Sequence, residues 1–391
     1  MSKKTVLSRR AFLRAGAMVA AGWAAGCAAS TDDPATVPPT LSPSPPPVTP
    51  TPTARPTSTA TPTATPSPTA VTVVPTNTPI LPTSPAEPTV PPVILRPART
   101  DLIAHYPRTA QSVVAVVRHG GVLDGEQVVP AVVLQMLDAA ITQLTGLNDA
   151  RSAWQALFDP TEMVGIKVNT ISRYTTSPEV AYAVAQRLQE AGLPAEQIVI
   201  FDRSTHELSR QGYTLNQDGP GVRCRGITAW EQPQDVAGAT QKLHDVLLRC
   251  DALINIPPIK EHGISGLTSA MKNHYGTVDQ PGRLHDGDCD PYIPALNALP
   301  AIRDKTRLIV CDALRICPYN WDQMTPEYSL MMSFDPVAND TLARRLLLDR
   351  RAADGKPGAY IEKRSHYLQT AVEMGLGADE AHIETRSLIL G

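Results

Sequence analysis

Met163-Val164-Gly165-Ile166-Lys167-Val168, the segment from Pro178 to Ala191, and Gln197-Ile198-Val199-Ile200-Phe201 together decide the fold. The first and last are short apolar runs of strand length. Between them, apolar residues recur at helical spacing in a segment opened by Ser177-Pro178 and closed by Gly192. Strands this uniformly apolar are covered on both faces, which is the habit of a parallel sheet flanked by helices.

The alternation continues in both directions. Ser112-Val113-Val114-Ala115-Val116-Val117 reads as a strand and Gln127 to Leu144 as a helix, with Val129, Val132, Val133, Met136, Ala140 and Leu144 on one face. Downstream the pattern predicts a helix over 241–249, a strand over 252–256, a helix over 293–303 and a strand over 307–311. Asp335-Pro336 opens a helix to about Arg350, another spans 360–374, and 382–390 is a final strand. The fold class is therefore α/β, a mainly parallel sheet flanked by helices. Its layering is Rossmann-like, yet the chain lacks the Gly-x-Gly-x-x-Gly dinucleotide fingerprint.

That domain occupies residues 100–391 of a 391-residue chain. Residues 28–99 are a linker dominated by Pro, Thr and Ser, as in Pro45-Pro46-Pro47 and Thr61-Pro62-Thr63-Ala64-Thr65-Pro66, and they hold much of the chain's 38 prolines. Such a segment cannot build a core and reads as a disordered, semi-stiff tether of about 3 Å per residue where polyproline-like. Residues 1–27 form an export address. Ser8-Arg9-Arg10-Ala11-Phe12-Leu13-Arg14 resembles a twin-arginine signal, which implies the translocase as a partner during export. Ala24-Ala25-Gly26-Cys27 resembles a lipobox, with acylation of Cys27 or simple signal cleavage as the two outcomes. The expectation is an extracytoplasmic protein anchored to the membrane through Cys27. A net charge of −3, with no basic patch interleaved with aromatics, argues against nucleic acid.

Polar residues gather after each strand: Asn169 and Arg173, then Asp202 to Glu207 including His206, then Lys260-Glu261-His262, then Asp312. In open α/β sheets ligands bind beyond the carboxyl ends of the strands, so convergence on one pocket is expected. The densest segment runs Asn255-Ile256-Pro257-Pro258-Ile259-Lys260-Glu261-His262-Gly263-Ile264-Ser265-Gly266-Leu267-Thr268-Ser269-Ala270-Met271-Lys272-Asn273-His274-Tyr275-Gly276. This Lys-x-His-Gly-x-x-Gly-x-Thr-x-x-x-Lys-Asn pattern resembles the prokaryotic domain of unknown function 362 family. The likeness extends through Gly165 to Asn169, His285 with Cys289-Asp290-Pro291, Asp312-Ala313, Asp335 to Ala338 and Gly375-Leu376-Gly377. Family members are often twin-arginine substrates, and some carry an iron-sulfur module. This chain has no iron-sulfur cysteine run, and Leu314 to Pro318 replaces a Gly-Gly-Pro turn of many relatives. The resemblance names no reaction.

Residue chemistry supplies candidate roles instead. Gly263 and Gly266 permit close backbone approach, Ser265 or Thr268 caps a helix through Met271 and Lys272, and Lys260 stands beside them. With Asn169 and Asn273, this reads as a cradle for the carboxylate or phosphate of a small anionic partner. The alternative is a tight turn, a capped helix and two solvated lysines. His262 and His285, with Asp202 or Asp290, offer ligands for a divalent metal, although no diagnostic frame such as His-Glu-x-x-His is present. His262, Lys260, Asp202 and His206 are the candidate acid–base groups. No Gly-x-Ser-x-Gly elbow appears. Cys224, Cys250, Cys289, Cys311 and Cys317 are expected to be buried thiols, with one disulfide left open. Two functions follow: a tethered enzyme acting on a small anion, or a tethered protein that captures an anion or metal without turnover.

Overall fold

The computed structural model describes residues 111–319 and 323–391. The export address, Cys27 and the 28–99 linker lie outside the described residues. The strands are β1 (Ser112–His119), β2 (Leu123–Asp124), β3 (Gln127–Val128), β4 (Val164–Lys167), β5 (Ile198–Phe201), β6 (Arg223–Arg225) and β7 (Trp230–Val236). They continue as β8 (Ala239–His244), β9 (Ala252–Asn255), β10 (Pro258–His262), β11 (Gly266–Thr268), β12 (Thr306–Tyr319), β13 (Gln323–Ser333) and β14 (Ile383–Leu390).

Among the described residues, ten of these strands form one sheet in the order β14-β1-β13-β12-β9-β4-β5-β6, with β10 on β12 and β11 on β10. The run β9-β4-β5-β6 is parallel, as the apolar strands required. All four residues of β4, of β5 and of β9 are buried, because helices cover both faces of the sheet. The helices Pro130–Thr145, Ala150–Leu157 and Pro178–Ala191 pack in one core, and Pro336–Ala353 and Tyr367–Glu373 lie in cores on the other side. Pro178 starts its helix at a position where the missing N–H costs nothing, and Gly192 ends it in the left-handed region at φ 117°.

Several elements differ from the sequence reading. Residues 239–244 are a strand, and only Asp245–Arg249 is helical. Ala237 and Gly238, at φ 51° and 88°, form the tight turn of a β7–β8 hairpin, and Ala239, Gln241 and Leu243 face inward at period two. The expected 127–144 helix starts at Pro130, after Gln127 and Val128 pair with β2. The 293–303 and 360–374 helices are each broken, at Leu299-Pro300 and at Ser365. The 307–311 strand extends to Tyr319, and β13 returns antiparallel along it, so the sheet is mixed on this side. The five cysteines of the domain are all free and buried.

The length of β12 positions the site. Its first half pairs with β9 and its second with β10, so the chain leaving β9 passes through Ile256-Pro257 and continues along the same neighbour. That step carries Lys260 and His262 beyond the ends of β4 and β5. At the β10–β11 hairpin, Gly266 has φ 73°, and a Cβ there would lie 2.4 Å from the Ile361 carbonyl oxygen. The hairpin thus packs backbone to backbone against the 359–364 helix. Gly266→Ala is expected to destabilise the domain by about 2 kcal/mol or more, read as a lowered midpoint in chemical denaturation. An unchanged midpoint would contradict this packing.

Candidate functional site

The carboxyl ends of β4, β5 and β9 place Lys167, Asp202 and Asn255 side by side. Lys167 Nζ lies 2.8 Å from Asp202 Oδ1, with both side chains almost fully buried. Asp202 Oδ2 accepts from Thr170 N at 2.6 Å and Thr170 Oγ1 at 2.7 Å, and Oδ1 accepts from Arg203 N. Burial works against its ionisation, but the Lys167 charge and these donors outweigh it and hold the carboxyl below its ordinary value. From this pair an amide chain runs across the sheet. Asn273 Oδ1 accepts from Lys167 Nζ at 3.2 Å and from Asn169 Nδ2 at 3.1 Å, and Asn169 Oδ1 accepts from Lys260 Nζ at 2.9 Å. Asn255 Oδ1 accepts from Asn273 Nδ2 at 2.7 Å and fixes its orientation.

A group of basic residues adjoins this chain. Lys260 and His262 stand two residues apart on β10 and therefore share a face. His262 Nδ1 accepts from Ile264 N and Ser265 N at 3.2 and 3.1 Å, which leaves the ring proton on Nε2. Its ring stacks on His285 with centroids 5.6 Å apart. Lys272 Nζ donates to His285 Nε2 at 3.1 Å and lies 3.7 Å from the Tyr275 ring centre, while His285 Nδ1 donates to Pro281 O. Burial, reinforced by the neighbouring charges, keeps both imidazoles neutral, His285 at about 4 and His262 at about 2. Burial also brings Lys260 down to about 7 and Lys272 down to about 8. His274, one residue beyond Asn273, is buried and held at about 3. Its Nε2 faces the Asn255 amide, so Nδ1 carries the proton, and that N–H meets no acceptor among the described residues.

The structure thus brings Asp202, Asn169, Asn273, Lys260, His262, Lys272 and His285 into one region. It also corrects the cradle. The helix begins at Ala270, and the buried Asp340 carboxylate accepts from Ala270 N at 2.6 Å and Met271 N at 3.1 Å, so its amino end already holds an anion. Neither Ser265 nor Thr268 caps it: Ser265 Oγ donates to Leu267 O, and Thr268 pairs with Lys260 in the sheet. Gly266 serves packing, and Gly263 lies exposed in the turn. The divalent-metal set does not assemble either. Asp290 Oδ2 binds Thr370 Oγ1 and His366 Nε2, Asp202 is committed to Lys167, and an ammonium faces His285 Nε2. Among the described residues no group of three His, Cys, Asp or Glu side chains is placed to hold a metal, so these residues do not fit that cofactor. His206 is exposed on the Thr205–Arg210 helix and Arg173 on its loop, and Asp312 accepts from Ser177 N and Leu314 N.

Sequence reasoning gave no role to Lys167, Asn255, His274, Tyr275 or Gly276, although the last four lie in the dense segment. Lys167 carried a signal, since it is the one charged residue in an otherwise apolar strand. Gly276 carried none. A Cβ there would lie 2.7 Å from Asp202 Oδ1 and 2.9 Å from Lys167 Nζ, so glycine lets the ion pair seat against the backbone.

Two outcomes follow. Asp202→Ala leaves the Lys167 ammonium buried without its carboxylate and should lower unfolding free energy by about 3–5 kcal/mol; a loss within experimental error would contradict the pairing. His244, held at about 4, joins the buried His274 and the part-buried His262 and His285 as a neutral imidazole. Each binds a proton more readily unfolded than folded, so their contribution is complete above the unfolded value of about 6.5 and is lost as pH falls toward 4. Calorimetry should show Tm dropping steadily over that window, and a flat profile would contradict four histidines held neutral in the fold.

Residues 164–345 match the family described as Domain of unknown function (DUF362). No curated protein matches the chain. Among solved structures, a protein from Thermotoga maritima shares 11% identity at a TM-score of 0.33, with 65% of this chain and 60% of that chain covered. The lactate racemase apoprotein from Thermoanaerobacterium thermosaccharolyticum shares 9% identity at a TM-score of 0.31, with 52% of this chain and 51% of that one covered. The chain therefore spans less than two thirds of the length of either. Lys167, Asn169, Asp202, Lys260, His262, Lys272, Asn273 and His285 all fall within the span, residues 164–345, that matches the DUF362 family.

Proposed function

We propose that the domain binds a small carboxylate or phosphate beyond the ends of β4, β9 and β10 and moves a proton on it. The observation that carries this reading is the buried Lys272 ammonium, whose partners here are an imidazole, an aromatic ring and the Cys289 thiol rather than a carboxylate. Buried cations in a dry site attract an anion strongly, and one placed among them relieves their mutual repulsion. Lys260 shares the region through Asn169, so two ammoniums flank it. His285 Nε2 is the proton acceptor beside Lys272 Nζ, and a lysine near 8 is well matched to proton transfer at neutral pH.

The same proposal places the domain outside the cytoplasmic membrane, exported by the twin-arginine translocase and tethered through acylated Cys27 by the proline-rich linker. Support comes from Arg9-Arg10, the Ala24 to Cys27 motif and the linker composition.

Isothermal titration with inorganic phosphate and with acetate is the test. Lys272→Met keeps the side-chain length and removes the charge, and should weaken the binding of whichever anion is held by about tenfold or more. Affinity should fall as pH rises through 7 to 9, where Lys260 and Lys272 lose their protons, rather than near 10.5 as for ordinary lysines. Equal affinity in the variant, or no heat from either anion, would overturn the reading. For the anchor, feeding cells an alkyne fatty acid should label the wild-type chain and leave Cys27→Ala unlabelled; an unlabelled wild type would point to simple signal cleavage.

A further inference from the structure

Of the described residues, five large apolar side chains are exposed: Ile171, Leu215, Ile264, Met374 and Ile389. Single exposed apolar residues are ordinary. Two of these five, however, sit on the loops that hold the basic cluster. Ile171, 50% exposed, gives its carbonyl to Lys260 Nζ at 3.1 Å. Ile264, 40% exposed, gives its N–H to His262 Nδ1 at 3.2 Å. Lys260 and His262 share one face of β10, so the backbones that orient the two polar groups each project an apolar side chain toward solvent beside them. The backbone reason for each loop is satisfied by hydrogen bonds that any residue could make, and neither needs isoleucine. A polar residue at either position would be cheaper in water.

We infer that the site takes an amphipathic anion: a carboxylate head held by the lysines and an alkyl substituent that emerges between Ile171 and Ile264. This rests on the anion-binding reading above and adds the substrate class to it. A charged head in a buried basic site fixes orientation, and the apolar rim then favours each methylene leaving it. A full methylene burial is worth about 0.8 kcal/mol, roughly fourfold in affinity; at a half-open rim about twofold per methylene is expected. The free head group and an alkyl chain presented by a lipid surface share this chemistry, and the experiment separates them.

The test is titration of the full chain with sodium acetate, butyrate and hexanoate, in wild type and in the double variant Ile171→Ser with Ile264→Ser. Hexanoate, with four more methylenes, should bind about sixteenfold more tightly than acetate to wild type. In the double variant the ratio of hexanoate to acetate affinity should shrink to about twofold or less, with circular dichroism showing an intact fold. Equal affinity for the three carboxylates in wild type, with Lys272→Met still weakening acetate, would overturn the amphipathic class and leave the anion reading standing. Absence of binding by all three would overturn both. Binding of the wild type to phosphatidylcholine vesicles containing a tenth hexadecanoate, with no preference for soluble hexanoate over acetate, would assign the isoleucines to a lipid surface and overturn the soluble-substrate proposal.

Discussion

The Lys167–Asp202 ion pair is the constraint on which the rest of the site depends. A lysine and an aspartate almost wholly removed from water at the ends of adjacent parallel strands are tolerable only if every donor and acceptor is used. They are used: the Thr170 N–H and hydroxyl and the Arg203 N–H complete Asp202, and Asn273 and the Val168 carbonyl complete Lys167. Gly276 leaves room for the pair, and Asn273 passes its orientation on to Asn169 and so to Lys260. Moving one member disturbs the others, so the ion pair and Lys260 belong to one network.

That network explains an electrostatic asymmetry. Asp202 balances Lys167, while Lys272 faces His285 and Tyr275 and depresses the titration of both histidines near it. The domain tolerates this because the imidazoles stay neutral and the lysine values fall toward neutrality. Preorganised positive charge of this kind costs stability, and under the anion-binding proposal the ligand would return it. Asp340 shows the contrast. Where the domain needs an anion at the start of the Ala270–Asn273 helix, it supplies its own carboxylate from the 336–353 helix.

Much of the fold was legible because the parallel strands are short, apolar and separated by capped helices. The elements that escaped reading are those decided by partners rather than by local pattern. Residues 239–244 became a strand because Ala237-Gly238 turned them back onto β7. Residues 312–319 became strand because β10 and β13 lie on either side of them. For the site, Lys260, His262 and Lys272 were readable as a dense polar segment. Asn169 was readable too, from its place after a strand, but the link through Lys167 was not, because Asn273 lies 106 residues from Lys167. The misreading of the helix start had the same origin, since Asp340 reaches Ala270 across 70 residues.

The most direct measurement of this account is the titration of the lysine side chains by carbon-detected NMR, with and without acetate. Two lysines should titrate near 7 and 8 in the free protein, disappear as separate transitions in Lys260→Met and Lys272→Met, and move upward when the anion binds. Titration of every lysine near 10.5, unmoved by the anion, would contradict it.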